Sequence, residues 1–210
     1  MADPRVAARL VHAGFPVSRK RTQPGGEVRV IAGEWRSRRI AFPELPGLRP
    51  TPDRVRETLF NWLGHDLEGF RCLDLYAGSG ALGFEAHSRG ASQVIMVENN
   101  PVVVRALEAN ATRFSASRLK IVRADALEFL RRSANGGAVG ETRFDVVFID
   151  PPFDQGVPDE VLSLLPPLLA TGGLVYMEAG VQAVVPQSWK TEKQGKAGQV
   201  HFQLMRWEPQ

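Results

Sequence analysis

"RCLDLYAGSGALGFEAHSRGASQVIMVE", residues 71–98, decides the fold. Its first seven residues are an apolar run of strand type, residues 81–90 read as a helix closed by Gly90, and "QVIMVE" (93–98) is a second strand. A strand, a glycine-rich turn, a helix and another strand make a βαβ unit, whose two strands run parallel. The turn carries Gly78-Ser-Gly80-Ala-Leu-Gly83, a formal match to the dinucleotide fingerprint. Glycines there let the backbone approach a ligand, and the helix N-terminus offers free N–H groups. That match alone is weak, because several cofactor classes share it.

The same alternation continues outward from this unit. "PVVVRALEANATRF" (101–114) is a helix started by Pro101, "LKIVRAD" (119–125) a strand, "ALEFLRRSA" (126–134) a helix and "FDVVFID" (144–150) a strand. "PDEVLSLLPPLLA" (158–170) reads as a helix and "GLVYMEA" (173–179) as a strand. Five strands separated by four helices predict an α/β fold with a parallel sheet covered on both faces. Residues 183–207 add two strands joined by a Lys/Gly-rich turn, so the sheet is expected to have seven strands, mostly parallel, ending in an antiparallel hairpin.

Toward the N-terminus, "TPDRVRETLFNWLG" (51–64) predicts a helix with Thr51 as N-cap and an apolar stripe of Val55, Leu59, Trp62 and Leu63. "VRVIAGEWRSRRIAFP" (28–43) suggests a small β-hairpin. The resulting division is a flexible basic arm over 1–27, a hairpin region over 28–48 and the α/β domain over 49–210.

Composition narrows the classes. Of 210 residues, 43% are hydrophobic and 23% charged, the balance of an ordinary globular chain. A single cysteine, Cys72 in the apolar "CLDLY", leaves no internal disulfide and fits a reducing, cytoplasmic setting. The chain has no apolar run long enough to span a bilayer, and the first residues lack a signal-peptide core, so it is expected to be neither exported nor membrane-bound. The four histidines lack metal-ligand spacing, and no metal is expected. With no obvious apolar interaction face, a monomer is the plain expectation. Charge is uneven: residues 1–62 hold twelve Lys/Arg against six Asp/Glu. "SRKR" (18–21) and "EWRSRR" (34–39), the latter with Trp35, suit a surface that tracks phosphates and offers a stacking aromatic. An ordinary solvated basic face is the other reading.

The chemistry-bearing positions end strands. Asp74 precedes the glycine loop, where its carboxylate would accept from an ammonium group or order the loop through water. Glu98 ends the second strand, the usual place for an acid gripping ribose hydroxyls, which serves NAD and S-adenosylmethionine equally. Asp125 is either an acceptor for an exocyclic amine such as adenine N6 or the N-cap of the next helix. Then "FDVVFIDPPFDQG" (144–156) ends a buried strand with Asp150, Pro151, Pro152 and Phe153. The prolines stop the ladder, since neither can donate to it.

"DLYAGSG", "VEN" (97–99), "ADA" (124–126) and "DPPF" stand in the order seen in class I S-adenosylmethionine-dependent methyltransferases. The Asp-Pro-Pro-aromatic subset resembles enzymes that methylate exocyclic amino groups of bases and one branch that methylates protein glutamine. With "GEWRSRRI", "LRPTPDRVRETLFNWL" (48–63), "CLDLYAGSGALGFEAHSRGA" and "GKAGQVHFQL", the chain resembles the bacterial 16S rRNA (guanine(966)-N(2))-methyltransferase family over roughly residues 28–207. The resemblance implies a Rossmann-like domain that binds S-adenosyl-L-methionine and methylates guanine N2 in 16S rRNA, within an assembled or assembling 30S subunit. It implies cofactor contacts at Asp74, Ala77, Gly78, Ser79, Gly80, Glu98, Asn99, Asp125 and Ala126, with Arg49, Pro50 and Thr51 as neighbours. Pro52 stands where many relatives carry Thr.

A base amine is a poor nucleophile, because its lone pair is delocalised into the ring. Asp150 would accept one N–H and a carbonyl of the Pro151–Pro152 step the other, aiming the nitrogen lone pair at the methyl group. Phe153 would stack the extruded base, or else sit as a core aromatic under the loop. Arg36, Arg38, Arg39 and Arg54 are the candidate RNA phosphate contacts, and simple N-capping is the alternative use of Thr51. Competing readings are a DNA adenine-N6 or cytosine-N4 methyltransferase, which normally needs a target-recognition domain, and a non-catalytic RNA-binding assembly factor, which would not need the intact acids. An NAD dehydrogenase would have no use for "DPPF".

Overall fold

The computed structural model describes residues 25–137, 139–152, 156–181 and 185–208. Phe153 and the expected arm up to residue 24 lie outside the described residues.

A seven-stranded sheet organises the chain. Its parallel part comprises β3 (Arg71–Asp74), β4 (Gln93–Glu98), β5 (Leu119–Arg123), β6 (Phe144–Ile149) and β7 (Leu169–Ala179), followed by the antiparallel β8 (Trp189–Ala197) and β9 (Val200–Trp207). The order is β5-β4-β3-β6-β7-β9-β8: β4 and β5 extend the sheet on one side of β3, β6 and β7 on the other, and β9 inserts between β7 and the edge strand β8. A separate two-stranded hairpin, β1 (Glu27–Arg29) and β2 (Arg39–Ala41), pairs Val28 with Ile40.

Helices cover both faces. Leu59 and Phe60 of α1 (Asp53–Trp62), Phe84 of α2 (Ala81–Ser88) and Leu107 of α3 (Pro101–Phe114) share one core with Cys72, Val146, Phe148 and Tyr176. On the other face Phe129 and Leu130 of α4 (Ala126–Ala134) and Val161 of α5 (Asp159–Leu164) pack on Leu73, Val147, Ile149 and Met177. Adjacent strand residues thus divide between two cores, as the period of two requires. All eight residues of α2 are buried, which explains why its sequence is apolar nearly all round.

Two expected elements differ. The helix expected over 158–170 stops at Leu164, and Pro166–Leu168 form a 3-10 turn before β7 begins at Leu169. Consecutive prolines remove two N–H donors and end the α-helical ladder there. Thr51 does not cap α1: Pro52 holds the N-cap position, with no side-chain cap bond.

The hairpin is built into the body by a buried ion cluster. Glu85 of α2 is fully buried and accepts from the Ile31 N–H at 2.7 Å and the Ala32 N–H at 3.0 Å. Its charge meets Arg56 at 3.4 Å and Arg89 at 2.8 Å. Arg56, also fully buried, donates from Nη2 to the Arg29 carbonyl at 2.9 Å and to Asp53 at 2.6 Å. Its Nε donates to the Thr51 carbonyl at 3.1 Å. Every charge is therefore answered, the condition under which such a cluster is tolerable in a core. Trp35 is not the exposed stacking platform its basic surroundings suggested: it is 1% exposed and stacks on His87 at 4.1 Å. Burial pushes the His87 imidazole down to about 4, with nearby Arg118 acting the same way.

Candidate active site

The strand order turns at β3, which has β4 on one side and β6 on the other. Carboxyl ends of strands leave a crevice at such a point, and a cleft of about 930 Å³ opens there. Its walls come from the loops after β3, β4, β5 and β6, the end of β7 and the segment Leu45–Pro52.

The glycine loop is held from below. Asp74, 1% exposed, accepts the Gly83 N–H at 3.0 Å. A Cβ on Gly83 would sit 2.8 Å from Met96 and 3.1 Å from the Asp74 carboxylate, so this glycine permits close helix–strand packing. Asp74 thus orders the loop by a direct bond to the backbone, where an ammonium or a water had been expected as its partner. It still lines the cleft. Gly80 has φ +82 and ends the loop as the N-cap of α2. Its missing Cβ makes room for Phe84 and Leu107, and it lies off the cleft wall.

Glu98 ties two loops together, accepting the Gly78 N–H at 3.0 Å through one oxygen and the Asn100 N–H at 2.7 Å through the other. Each oxygen keeps a lone pair for a ligand hydroxyl. Ala77, Gly78, Ser79, Asn99 and Ala126 line the cleft with it, as do Arg49, Pro50 and Thr51. Asp125 does not reach the wall: it is exposed and caps α4, accepting the Glu128 N–H at 3.1 Å. The capping bond uses Oδ1, and the neighbours Ala124 and Ala126 line the cleft.

At the far end, Asp150, Pro151 and Pro152 line the same cleft. The Thr51 hydroxyl donates to Asp150 Oδ2 at 2.9 Å. Burial pushes the Asp150 carboxyl up to about 6, against the pull of this bond. Asp74 rises to about 7 through burial and then through the charge of Asp150.

Glu178 had escaped notice in the sequence. It is the penultimate residue of β7, is 3% exposed, lines the cleft and accepts the Tyr176 hydroxyl at 2.8 Å. Burial, then the charge of Asp150, pushes it up to about 8. An acid closing the apolar run "LVYM", in the strand after "FDVVFID", is the signal that would have found it. Asn100, Gln199 and Val200 also join the wall. Arg36, Arg38, Arg39 and Arg54 are exposed. Arg38 lies over the Phe114 ring at 4.3 Å, and Arg39 pairs with Glu27 at 3.4 Å.

A doubly wound seven-stranded sheet with a glycine loop after its first parallel strand, an acid ending the next and Asp-Pro-Pro after the fourth is the framework of a class I methyltransferase. The family profile described as Conserved hypothetical protein 95 matches residues 28–206, and the chain belongs to that family. Ribosomal RNA small subunit methyltransferase D of Escherichia coli K12 is 40% identical over 190 residues, covering 88% of this chain and 92% of the relative. Its counterpart of the same name in Haemophilus influenzae is 39% identical over 185 residues, covering 85% and 93%. The solved structure of the Escherichia coli yhhF protein superposes with a TM-score of 0.75 at 41% identity, covering 88% of this chain and all of that one.

Proposed function

We propose that the protein transfers the methyl group of S-adenosyl-L-methionine to the exocyclic N2 amine of a guanine in 16S rRNA. The observation that carries this reading is Asp150, held by Thr51 beside a rigid Pro-Pro step at the mouth of a cleft that a cofactor of this size fits. The names of the relatives supply the methyl transfer and the small-subunit RNA. Guanine N2 follows from the motif resemblance.

The donor set suits a cationic cofactor. Asp74, Glu98, Asp150 and Glu178 all line the cleft, and burial holds three of them above the usual carboxylate range. A ligand bearing an ammonium and a sulfonium relieves that strain by favouring their ionised forms. When bound, S-adenosylmethionine supplies an electrophilic methyl group. Glu98 would hold the ribose hydroxyls and Asp74 would face the amino-acid end, with Ala77, Gly78 and Ser79 on the adjoining wall. Asp150 and a proline carbonyl take the two amine N–H groups, which turns the nitrogen lone pair toward the methyl group. Phe153 stacks the extruded base.

Arg36, Arg38, Arg39 and Arg54 bind RNA phosphates. The protein works as a cytoplasmic monomer on an assembled or assembling 30S subunit. Among the described residues no helix is long and apolar enough to cross a membrane. The decisive experiment offers labelled S-adenosylmethionine with naked 16S rRNA, 30S particles and duplex DNA, then maps the modified base. Label at N2 of one guanine, in RNA or particles, is the expected result. Label in DNA, or none in any substrate, would overturn the reading.

A further inference from the structure

Two acids converge at the reacting end of the cleft. In the parallel pair β6–β7, Phe148 is the register partner of Tyr176, and Ile149 that of Met177. Asp150 and Glu178 are the next residues on these adjacent strands, about 5 Å apart at Cα. Successive side chains alternate across a sheet, so both carboxyls leave the face that carries Phe148 and Tyr176. Both line the cleft.

The Tyr176 hydroxyl donates its one proton to Glu178 at 2.8 Å, and the Thr51 hydroxyl donates its one proton to Asp150 at 2.9 Å while also lying against Glu178. Two hydroxyl protons do not neutralise two carboxylates. Asp74, the nearest ionisable group from β3, is another acid and adds negative charge. Phe202, opposite Glu178 in β9, is apolar. Two carboxylates side by side in such surroundings cannot both ionise at moderate cost, and one proton stays with the pair.

We propose that Asp150 and Glu178 form a one-proton carboxyl pair, in which neutral Glu178 keeps Asp150 anionic for the target amine and Asp150 receives the amine's proton. This rests on the proposed amine methylation. Once the nitrogen is methylated, its N–H bond breaks, the electron pair stays on nitrogen and the proton moves to Asp150. The pair then holds two protons and returns one to water as product leaves. Glu178 is a positioning residue here: it acts through the state of Asp150. The order of affinities agrees, with Glu178 held up to about 8 and Asp150 to about 6.

Glu178→Gln preserves shape and the Tyr176 bond while removing the titration. The first readout needs no substrate: the thermal midpoint against pH for the full chain. A raised carboxyl binds more protons folded than unfolded, so stability falls as pH rises from its unfolded value to its folded one. The wild type should keep losing stability until about pH 8, whereas the variant should level off near 7, where Asp74 completes its titration. The second readout is the pH profile of single-turnover methyl transfer. Wild type should show an acid limb near 6 and a second inflection near 8, where loss of the pair's proton changes the charge beside Asp150, and Glu178→Gln only the acid limb. Tyr176→Phe, which removes a bond that favours the Glu178 anion, should move the second inflection to higher pH. Parallel stability curves for wild type and Glu178→Gln, or a second inflection unmoved in both variants, would overturn the pair. If the wild type methylates nothing, the proposed function falls instead, and the stability curves alone decide the pair.

Discussion

The Thr51 hydroxyl donates to the Asp150 carboxylate at 2.9 Å, joining the entry to α1 with the end of β6. A residue in a helix-capping sequence is thereby turned into the hydrogen-bond partner of an acid that lines the cleft. Because the bond favours the anion, its removal raises the Asp150 carboxyl further above about 6. Thr51→Val should shift the acid limb of methyl transfer to higher pH and slow the reaction about tenfold near neutrality. Thr51→Ser should restore both. Single-turnover rates across pH check this.

Asp150 itself separates chemistry from binding. Asp150→Ala should reduce methyl transfer by at least about 10²-fold, while the rise in melting temperature on adding S-adenosylmethionine persists. Asp150→Asn, whose amide oxygen still accepts, should keep part of the activity. Full turnover by the alanine variant would remove Asp150 from the mechanism.

Glu98 should behave in the opposite way. Its carboxylate anchors the Gly78 and Asn100 amides, so Glu98→Ala loosens two loops along with the proposed ribose contact. Loss of hydrogen bonds to a charged group predicts about 10- to 100-fold weaker cofactor binding. Isothermal titration with S-adenosylmethionine measures it directly.

The buried cluster around Glu85 predicts stability. Glu85→Ala strands Arg56 and Arg89 in the core and should cost about 3–5 kcal/mol in urea unfolding, because an unanswered buried charge is left behind. The solvent-exposed Arg131–Glu160 pair, 2.6 Å long, makes the contrast: Glu160→Ala should barely move the midpoint.

RNA binding should respond to the surface arginines through salt. Among the described residues Arg36 and Arg54 form no ion pair, whereas Arg39 shares its charge with Glu27. Replacing Arg36 or Arg54 by Ala should lower the slope of log affinity against log salt by about 1 each. Arg39→Ala should lower it less. Filter binding of 16S rRNA at several salt concentrations tests the ranking.

The sheet was legible because its strands are short apolar runs separated by helices of clear period. The three strand-end positions Asp74, Glu98 and Asp150 follow from that alternation, since loops after parallel strands meet at one edge. Less legible were side chains whose role depends on a distant partner. Thr51 satisfies every local rule for a cap, and only the fold brings Asp150 within reach. Trp35 sits among arginines in sequence, yet the hairpin turns it inward onto His87. Asp125 offered two uses, and its Oδ1 makes the cap. Glu85 and Glu178 lie inside largely apolar segments, where composition alone does not announce an ionic role. Arg89 is within helical reach of Glu85, but Arg56 and Asp150 arrive from other elements.

Arg56 gives the molecule an order of assembly. Its guanidinium grips the Thr51 carbonyl, the Arg29 carbonyl and Glu85 at once. During synthesis the hairpin and α1 emerge before residue 85 exists, so Arg56 has only Asp53 to answer its charge, and the Ile31 and Ala32 amides lack their acceptor, until α2 has been made. The peptide group of Thr51, whose hydroxyl serves Asp150, settles only when that contact closes. The placing of the Thr51 hydroxyl against Asp150 is thereby tied to the docking of α2 on α1.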